Sequence, residues 1–246
     1  MEPIRDQLPG SNTDNYAAQH WVSLRDGGGA ITWSSLEAPV VELGGLWPGY
    51  TSQAHHGVTP PGYGHEFLRD PAQLEKGYIY SYALASNFRT NFQPVQVADM
   101  LFRYSLTSQP VAASYLPSRD FGWAAATPLA GVSLHGPQSG VLPLSNSFCQ
   151  VDHPNVFLLT LKAAEDGDGL IVRLAETEGQ ETTVVVTLPA MLIAQAFGAN
   201  LVEENEGAVF YDRHSLRVRV PAHGIVTVRC RTGRRWPTAK RVAHYD

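Results

Sequence analysis

Nine histidines are spread over 246 residues, and one stretch brings several beside an acid: His55 and His56 are followed by His65-Glu66. Imidazoles with a carboxylate are ligands that zinc accepts. Their separation runs through a Gly/Pro-rich segment, which fixes no geometry as an H-E-x-x-H helix would. Polar loop residues facing solvent are the preferred reading. Paired carboxylates for glycoside hydrolysis need to stand roughly 5 to 10 Å apart in a cleft. Glu42, Glu66, Asp99 and Asp120 are scattered, and nothing in the sequence makes them converge. Glu165, Asp166 and Asp168 share a glycine-containing turn that turn-making accounts for. G-x-S-x-G, G-x-G-x-x-G and P-loop patterns are absent, and Ser114 or Ser118 as a nucleophile has no partner. No self-contained active site is visible.

The remaining chemistry is that of sugar recognition. Asn87-Phe88-Arg89-Thr90-Asn91-Phe92 gathers amides, a guanidinium and two rings. Asn87, Arg89 and Asn91 could hydrogen-bond vicinal hydroxyls, although such residues also simply build turns. Trp21, Trp33, Tyr78, Tyr80 and Tyr82 lie in strand-like stretches, where rings mostly serve the core or cross-strand pairs. Trp47, in a loop after Gly45, is the better candidate for stacking on a sugar.

The elements that position this loop are two alternating aromatic runs. Residues 78–84 place Tyr78, Tyr80, Tyr82 and Leu84 on one face, and residues 100–106 place Met100, Phe102, Tyr104 and Leu106 on one face. The period of two predicts a β-hairpin over Tyr78 to Thr107. Upstream, residues 17–24 read as a strand ended by Asp26-Gly27-Gly28-Gly29, a turn in which positive φ comes easily. Residues 30–34 and 39–43 follow as strands, Pro39 forcing an edge position or a start after it. Residues 44–73 are Gly- and Pro-rich without periodicity, and a loop that long is usually functional or mobile. Residues 112–116 continue the sheet and 118–127 are read as loop. Beyond Asn146, strands are expected at 156–163, 169–176, 182–188, 208–211, 216–220 and 224–231. Residues 189–197 could form a short helix, with strand or loop preferred. Short strands at such regular spacing suggest a small antiparallel sandwich.

The totals agree with a folded, turn-rich chain: 43% hydrophobic and 17% charged residues, 22 Gly and 17 Pro. A net charge of -5 disfavours nucleic-acid and anionic-membrane partners. No apolar run of about 18 residues predicts a transmembrane span, and the polar N-terminus has no secretion signal, which favours a cytoplasmic location. Two cysteines, Cys149 and Cys230, exclude a cysteine-built zinc site and a disulfide framework. Buried free thiols are preferred over a mutual bond.

Residues from about Gln7 to Thr232 resemble the C-terminal β-sandwich region of glycoside hydrolase family 38, the α-mannosidase-type enzymes. The resemblance rests first on Gln7-Leu8-Pro9-Gly10-Ser11, Gln19-His20-Trp21-Val22 and the run from Ile31 to Val41. It continues through Tyr80-Ser81-Tyr82, Asn87 to Phe92 and Phe102 to Leu106. In the second half it rests on Leu161 to Gly167, Val172-Arg173-Leu174 and Asn200-Leu201-Val202-Glu203-Glu204. The order of these pieces is more specific than any one of them. The resemblance implies that the catalytic nucleophile and zinc ligands belong mainly to an N-terminal barrel, so no catalytic or metal-binding residue is carried onto this chain. Zinc is then expected in the catalytic domain, with no cofactor on this one.

The expected architecture is all-β: a partial large antiparallel sandwich over 1–143 with the long Gly/Pro-rich loop, a small sandwich over 144–233, and a frayed basic tail over 234–246. The expected role is the non-catalytic C-terminal portion of an α-mannosidase-type hydrolase, as fragment or subunit. An exposed strand edge in the first sandwich would be covered by the catalytic domain or chain, or by a second copy, and carbohydrate is the other expected partner. The alternatives are an independent carbohydrate-binding module and a self-sufficient metal-dependent glycosidase using His55, His56, His65 and Glu66.

Overall fold

The computed structural model describes residues 2, 5–8, 15–44, 74, 76–84, 97–110, 114–136, 139 and 143–232. The chain divides into two compact units, residues 1–113 with 117–131, and residues 114–116 with 132–246. Among the described residues the regular elements are antiparallel strands apart from one short helix, in agreement with the all-β expectation.

In the first unit, β1 (Asn15–Ala17), β4 (Val40–Leu43) and β5 (Ile79–Ser81) form a sheet in the order β1-β4-β5. A second sheet has the order β2-β3-β6, from β2 (Val22–Arg25), β3 (Ala30–Ser34) and β6 (Ser105–Gln109). Tyr16, Val41 and Leu43 from the first sheet meet Trp33 from the second in one core. Among the described residues both sheets are open at their edges, and β4 begins directly after Pro39 in a central position.

Three expectations fail here. Residues 17–24 are not one strand. Ala18 N donates to Pro39 O at 2.8 Å, keeping the chain beside β4, and Ser34 Oγ then donates to His20 O at 2.6 Å, handing it to the other sheet. Tyr78 to Thr107 is not a hairpin either. β5 pairs with β4 (Val41 opposite Ser81) and β6 pairs with β3 (Trp33 opposite Leu106). Alternation fixes which face a strand buries, and leaves its partner open. The tyrosine face is the outer one: Ile79 packs on the core, while Tyr78 is 53% exposed and meets Tyr80 edge-on. The glycine turn after β2 needs no positive φ, because Asp26 Oδ1 accepts the Gly28 and Gly29 amides at 2.7 and 3.0 Å.

The third miss is α1 (Leu116–Ala126), where strand and loop were expected. Pro117 suits a first turn, and Ser114 Oγ accepts the Leu116 amide at 3.0 Å. Gly122 hides the helix signal, since glycine disfavours a helix interior. It is there for packing: a Cβ at Gly122 would lie 2.5 Å from Trp21 Cβ.

The second unit is a sandwich of two sheets. The four-stranded one has the order β13-β14-β10-β7, from β7 (Gln150–Val151), β10 (Thr182–Thr187), β13 (Phe210–Tyr211) and β14 (Ser215–Val220). The five-stranded one has the order β12-β11-β15-β9-β8, from β8 (Val156–Ala163), β9 (Leu170–Glu176), β11 (Ile193–Ala199), β12 (Asn205–Ala208) and β15 (Ile225–Thr232). Residues 189–197 thus contain a turn followed by strand. Alternation gives each sheet an aliphatic inner face; Val172, Leu174 and Val228 meet Val184, Val186 and Leu216 in one cluster. Fully burying such side chains is worth about 1.5–3 kcal/mol each, so this core dominates the unit's stability.

Gly122→Ala weighs a helix-propensity gain of about 1 kcal/mol against an overlap with Trp21 costing roughly 1–3 kcal/mol. We expect net destabilisation, read as a lower urea midpoint. A raised midpoint would contradict the packing of Trp21 on the helix.

Candidate functional site

Three stretches of the second unit meet on the outer face of the five-stranded sheet. Alternation turns Val228 and Cys230 inward, and Thr227, Arg229 and Arg231 outward. Arg229 stands opposite Ile171 of β9 and Phe197 of β11, and Lys162 of β8 flanks Ile171 on its other side. Ile171 is fully buried although it faces away from the core, and Arg229 is only 4% exposed.

A buried guanidinium must find acceptors. Arg229 Nη1 donates to both Asp166 carboxylate oxygens at 2.8 and 2.9 Å and to Asp168 O at 2.9 Å, and Nη2 donates to Glu203 O at 2.6 Å. Arg231 Nε donates to Asp168 Oδ2 at 2.8 Å, and its guanidinium lies 5.1 Å over the Phe197 ring. The 200–204 loop is held from several sides. Arg173 Nη2 donates to Leu201 O at 3.1 Å, Lys162 Nζ pairs with Glu203 Oε1 at 2.7 Å, and the Glu165 amide donates to Glu203 Oε2 at 2.9 Å. Inside the loop, Asn200 Oδ1 accepts the Val202 and Glu204 amides at 3.0 and 2.9 Å. Glu203, itself 7% exposed, adopts φ 70°, a left-handed conformation that non-glycine residues adopt only when held there.

These contacts set the protonation states. The bond from Arg229 holds Asp166 below the usual carboxylate range. Burial opposes ionisation of Glu203, but the bonds from Lys162 and the Glu165 amide outweigh it, and its pKa is also lowered. Lys162 is raised by Glu165 and then Glu203. Lowered carboxylates are poor proton donors at neutral pH, where a general acid needs a raised pKa. Beside them lies an open cleft of about 270 Å³ lined by Glu165, Asp166, Asp168, Val202, Glu203, Glu204, Asn205, Arg229 and Arg231. As it stands the arrangement holds a loop; it contains no nucleophile–base pair.

A second buried carboxylate ties another corner of this unit. Glu176 Oε1 accepts from Asn155 Nδ2 and the Glu178 amide, and Oε2 from the Gly179 and His223 amides, at 2.8 to 3.0 Å. Burial works against its ionised form, yet the four donors outweigh it and lower its pKa.

The sequence candidates fare differently. Asn87, Arg89, Asn91 and Trp47 lie outside the described residues, as do His55, His56, His65 and Glu66. Ser118 is fully buried, with Thr32 Oγ1 at 2.8 Å, Gln109 Nε2 at 2.9 Å and Ser23 Oγ at 3.2 Å. It bonds α1 to the β2-β3-β6 sheet and is closed to substrate. Asp120 on α1 pairs with Arg119 at 2.7 Å. Among the described residues no three His, Cys, Asp or Glu are grouped to hold a metal. Cys149 and Cys230 are free thiols, pushed up by burial to about 11 and about 12. Arg229 escaped the sequence reading, and Glu203 entered it only within the run Asn200 to Glu204. The available signal was Arg-x-Arg on the outer face of an apolar strand, beside an acidic turn.

Residues 155–228 match the family model described as the glycosyl hydrolases family 38 C-terminal beta sandwich domain. The match runs from just before β8 into β15, includes Lys162, Asp166, Arg173 and Glu203, and stops one residue before Arg229. It covers the second-unit part of the resemblance and not the first-unit part. A comparison with curated proteins gives no match.

Two predictions follow from these carboxylate ties. Arg229→Met should cost about 1–3 kcal/mol by leaving the Glu203 carbonyl without its donor, measured by urea unfolding; a loss under about 0.5 kcal/mol would show the clamp to be dispensable. For Glu176, the folded pKa lies below the ordinary 4.5, so the native state takes up its proton less readily than the unfolded chain. Its stabilisation is complete above pH 4.5 and is lost as pH falls through the folded value. Glu176→Gln should therefore flatten the decline of the unfolding midpoint as pH falls below its ordinary 4.5. An unchanged slope would assign that decline to other carboxylates.

Proposed function

We propose that this chain is the non-catalytic C-terminal portion of an α-mannosidase-type glycoside hydrolase and that it supports a catalytic domain, carried on the same or a separate polypeptide. The observation that carries this reading is the match of residues 155–228 to the family 38 C-terminal sandwich domain. The described chemistry agrees with it. The charged groups on the five-stranded sheet of that unit hold its own loop, and Ser118 on α1 is sealed against the β2-β3-β6 sheet.

On this reading the zinc and the catalytic nucleophile belong to the catalytic domain, and this chain contributes rigidity and surface. Asn87, Arg89 and Asn91, with Trp47, are the residues proposed to reach the sugar. Amides and a guanidinium can hydrogen-bond vicinal hydroxyls and so orient a substrate, and an indole can stack on its apolar face. No helix among the described residues is long and apolar enough to cross a membrane.

The test is an assay of the purified 246-residue chain on 4-nitrophenyl α-mannoside, with and without zinc. No turnover above a metal-free blank is expected in either condition. Zinc-dependent turnover would refute the support role and return His55, His56, His65 and Glu66 to consideration as ligands.

A further inference from the structure

The four-stranded sheet turns Leu216, Val218 and Val220 into the core, so Arg217 and Arg219 of β14 stand on its outer face. Register lines up that face. Phe210 of β13 lies opposite Arg217, and Arg217 lies opposite Val185 of β10. Arg219 and Thr183 form the row on one side, and Ser215, Thr187 and Gln150 the row on the other. Opposed residues on one face are close neighbours. A ring, a guanidinium and a valine therefore run side by side across three strands.

Phe210 is 71% exposed, and Arg217 beside it is exposed as well. A single exposed apolar residue is ordinary; the arginine sets this row apart. Every other arginine on a strand of this unit has an acceptor. Arg173 has the Leu201 carbonyl, Arg219 has Glu181, Arg229 has Asp166 and Arg231 has Asp168. Arg217 has no hydrogen-bond, ion-pair or ring partner among the described residues. The nearest acids in the strand order are engaged elsewhere. Glu181 is taken by Arg219, and Asp152, beyond Val185, accepts the Val185 amide at 2.9 Å and meets His153 Nδ1 at 2.7 Å. A chain of net charge -5 thus shows one uncompensated cation on this face.

Charge complementarity asks for an anion at Arg217, and a planar guanidinium suits a carboxylate. The rest of the face decides what carries it. Phe210 and Val185 are the only apolar side chains in these three rows, too few for the apolar centre of a protein interface. Thr183, Thr187 and Gln150 instead offer neutral hydrogen-bonding groups beside them, which suits sugar hydroxyls. We propose that this face binds an acidic glycan, with one sugar ring stacked on Phe210 and a uronic acid carboxylate on Arg217. The face is formed entirely within the second unit and depends on neither the mannosidase reading nor Asn87, Arg89 and Asn91.

The test titrates the full chain, isotope-labelled, with trigalacturonate, with its fully methyl-esterified form and with hexaglutamate. Trigalacturonate should shift amide resonances of residues 183–187, 210–211 and 215–219, and high salt should weaken the effect. Arg217→Gln should weaken its binding about tenfold and erase the preference for the free acid over the ester. Phe210→Ala should weaken acid and ester alike, by about tenfold. Both side chains are exposed, so an unchanged unfolding midpoint certifies the variants. Absence of shifts, equal binding of acid and ester, or affinity untouched by either substitution would overturn the proposal. So would hexaglutamate matching trigalacturonate on the same amides, which would give the face to an acidic polypeptide.

Discussion

Burial of the Arg229 guanidinium organises the outer face of the small sandwich. A strand alternates, so an inner row of valines and Cys230 forces an outer row on β15, and that row holds Thr227, Arg229 and Arg231. Left in water, Arg229 would need nothing. Under a loop it must be paired, because removing a cation from water without acceptors costs several kcal/mol. The 166–168 turn supplies a carboxylate and a carbonyl, and the 200–204 loop supplies another carbonyl. Two segments more than thirty residues apart are thereby tied to one side chain, and Ile171 between them is closed off from solvent.

The same device recurs with the sign reversed. Glu176 and Glu203 are buried carboxylates that gather amide donors from neighbouring turns. In both, burial alone would favour the neutral acid, and directed donors reverse that preference. This is a sandwich whose loops are fastened by ionised groups while its aliphatic interior holds the sheets together. The energetic roles differ. The interior supplies most of the free energy, whereas the buried ions fix which loop conformation is compatible with it.

Legibility in the sequence followed how local each signal was. Regular alternation in 156–163, 170–176 and 215–220 gave those strands almost to the residue. The same alternation in 78–84 and 100–106 misled, because it carries no information on pairing, and Val41 and Trp33 claim the two segments for different sheets. Helix α1 was hidden by Gly122, a residue chosen for the close approach of Trp21. The loop clamp was invisible for a related reason. Asp166 and Glu203 look like ordinary turn residues until the fold brings Arg229 and Lys162 to them from distant strands. The acidic turn was legible as a turn, but its partner was not.

Why charges are used in this way bears on what the unit can do. A catalytic carboxylate needs a tuned and accessible proton affinity, and a strong structural partner removes that freedom by pinning the ionised form. Asp166, Glu176 and Glu203 are pinned by Arg229, by four donors and by Lys162 with the Glu165 amide respectively. What the clamp leaves at the surface is the tip of its loop, where Leu201 and Val202 are exposed. In this unit those ionisable groups are spent on holding loops in place. The loops held in this way lie inside the stretch that matches the family 38 C-terminal sandwich model, residues 155–228.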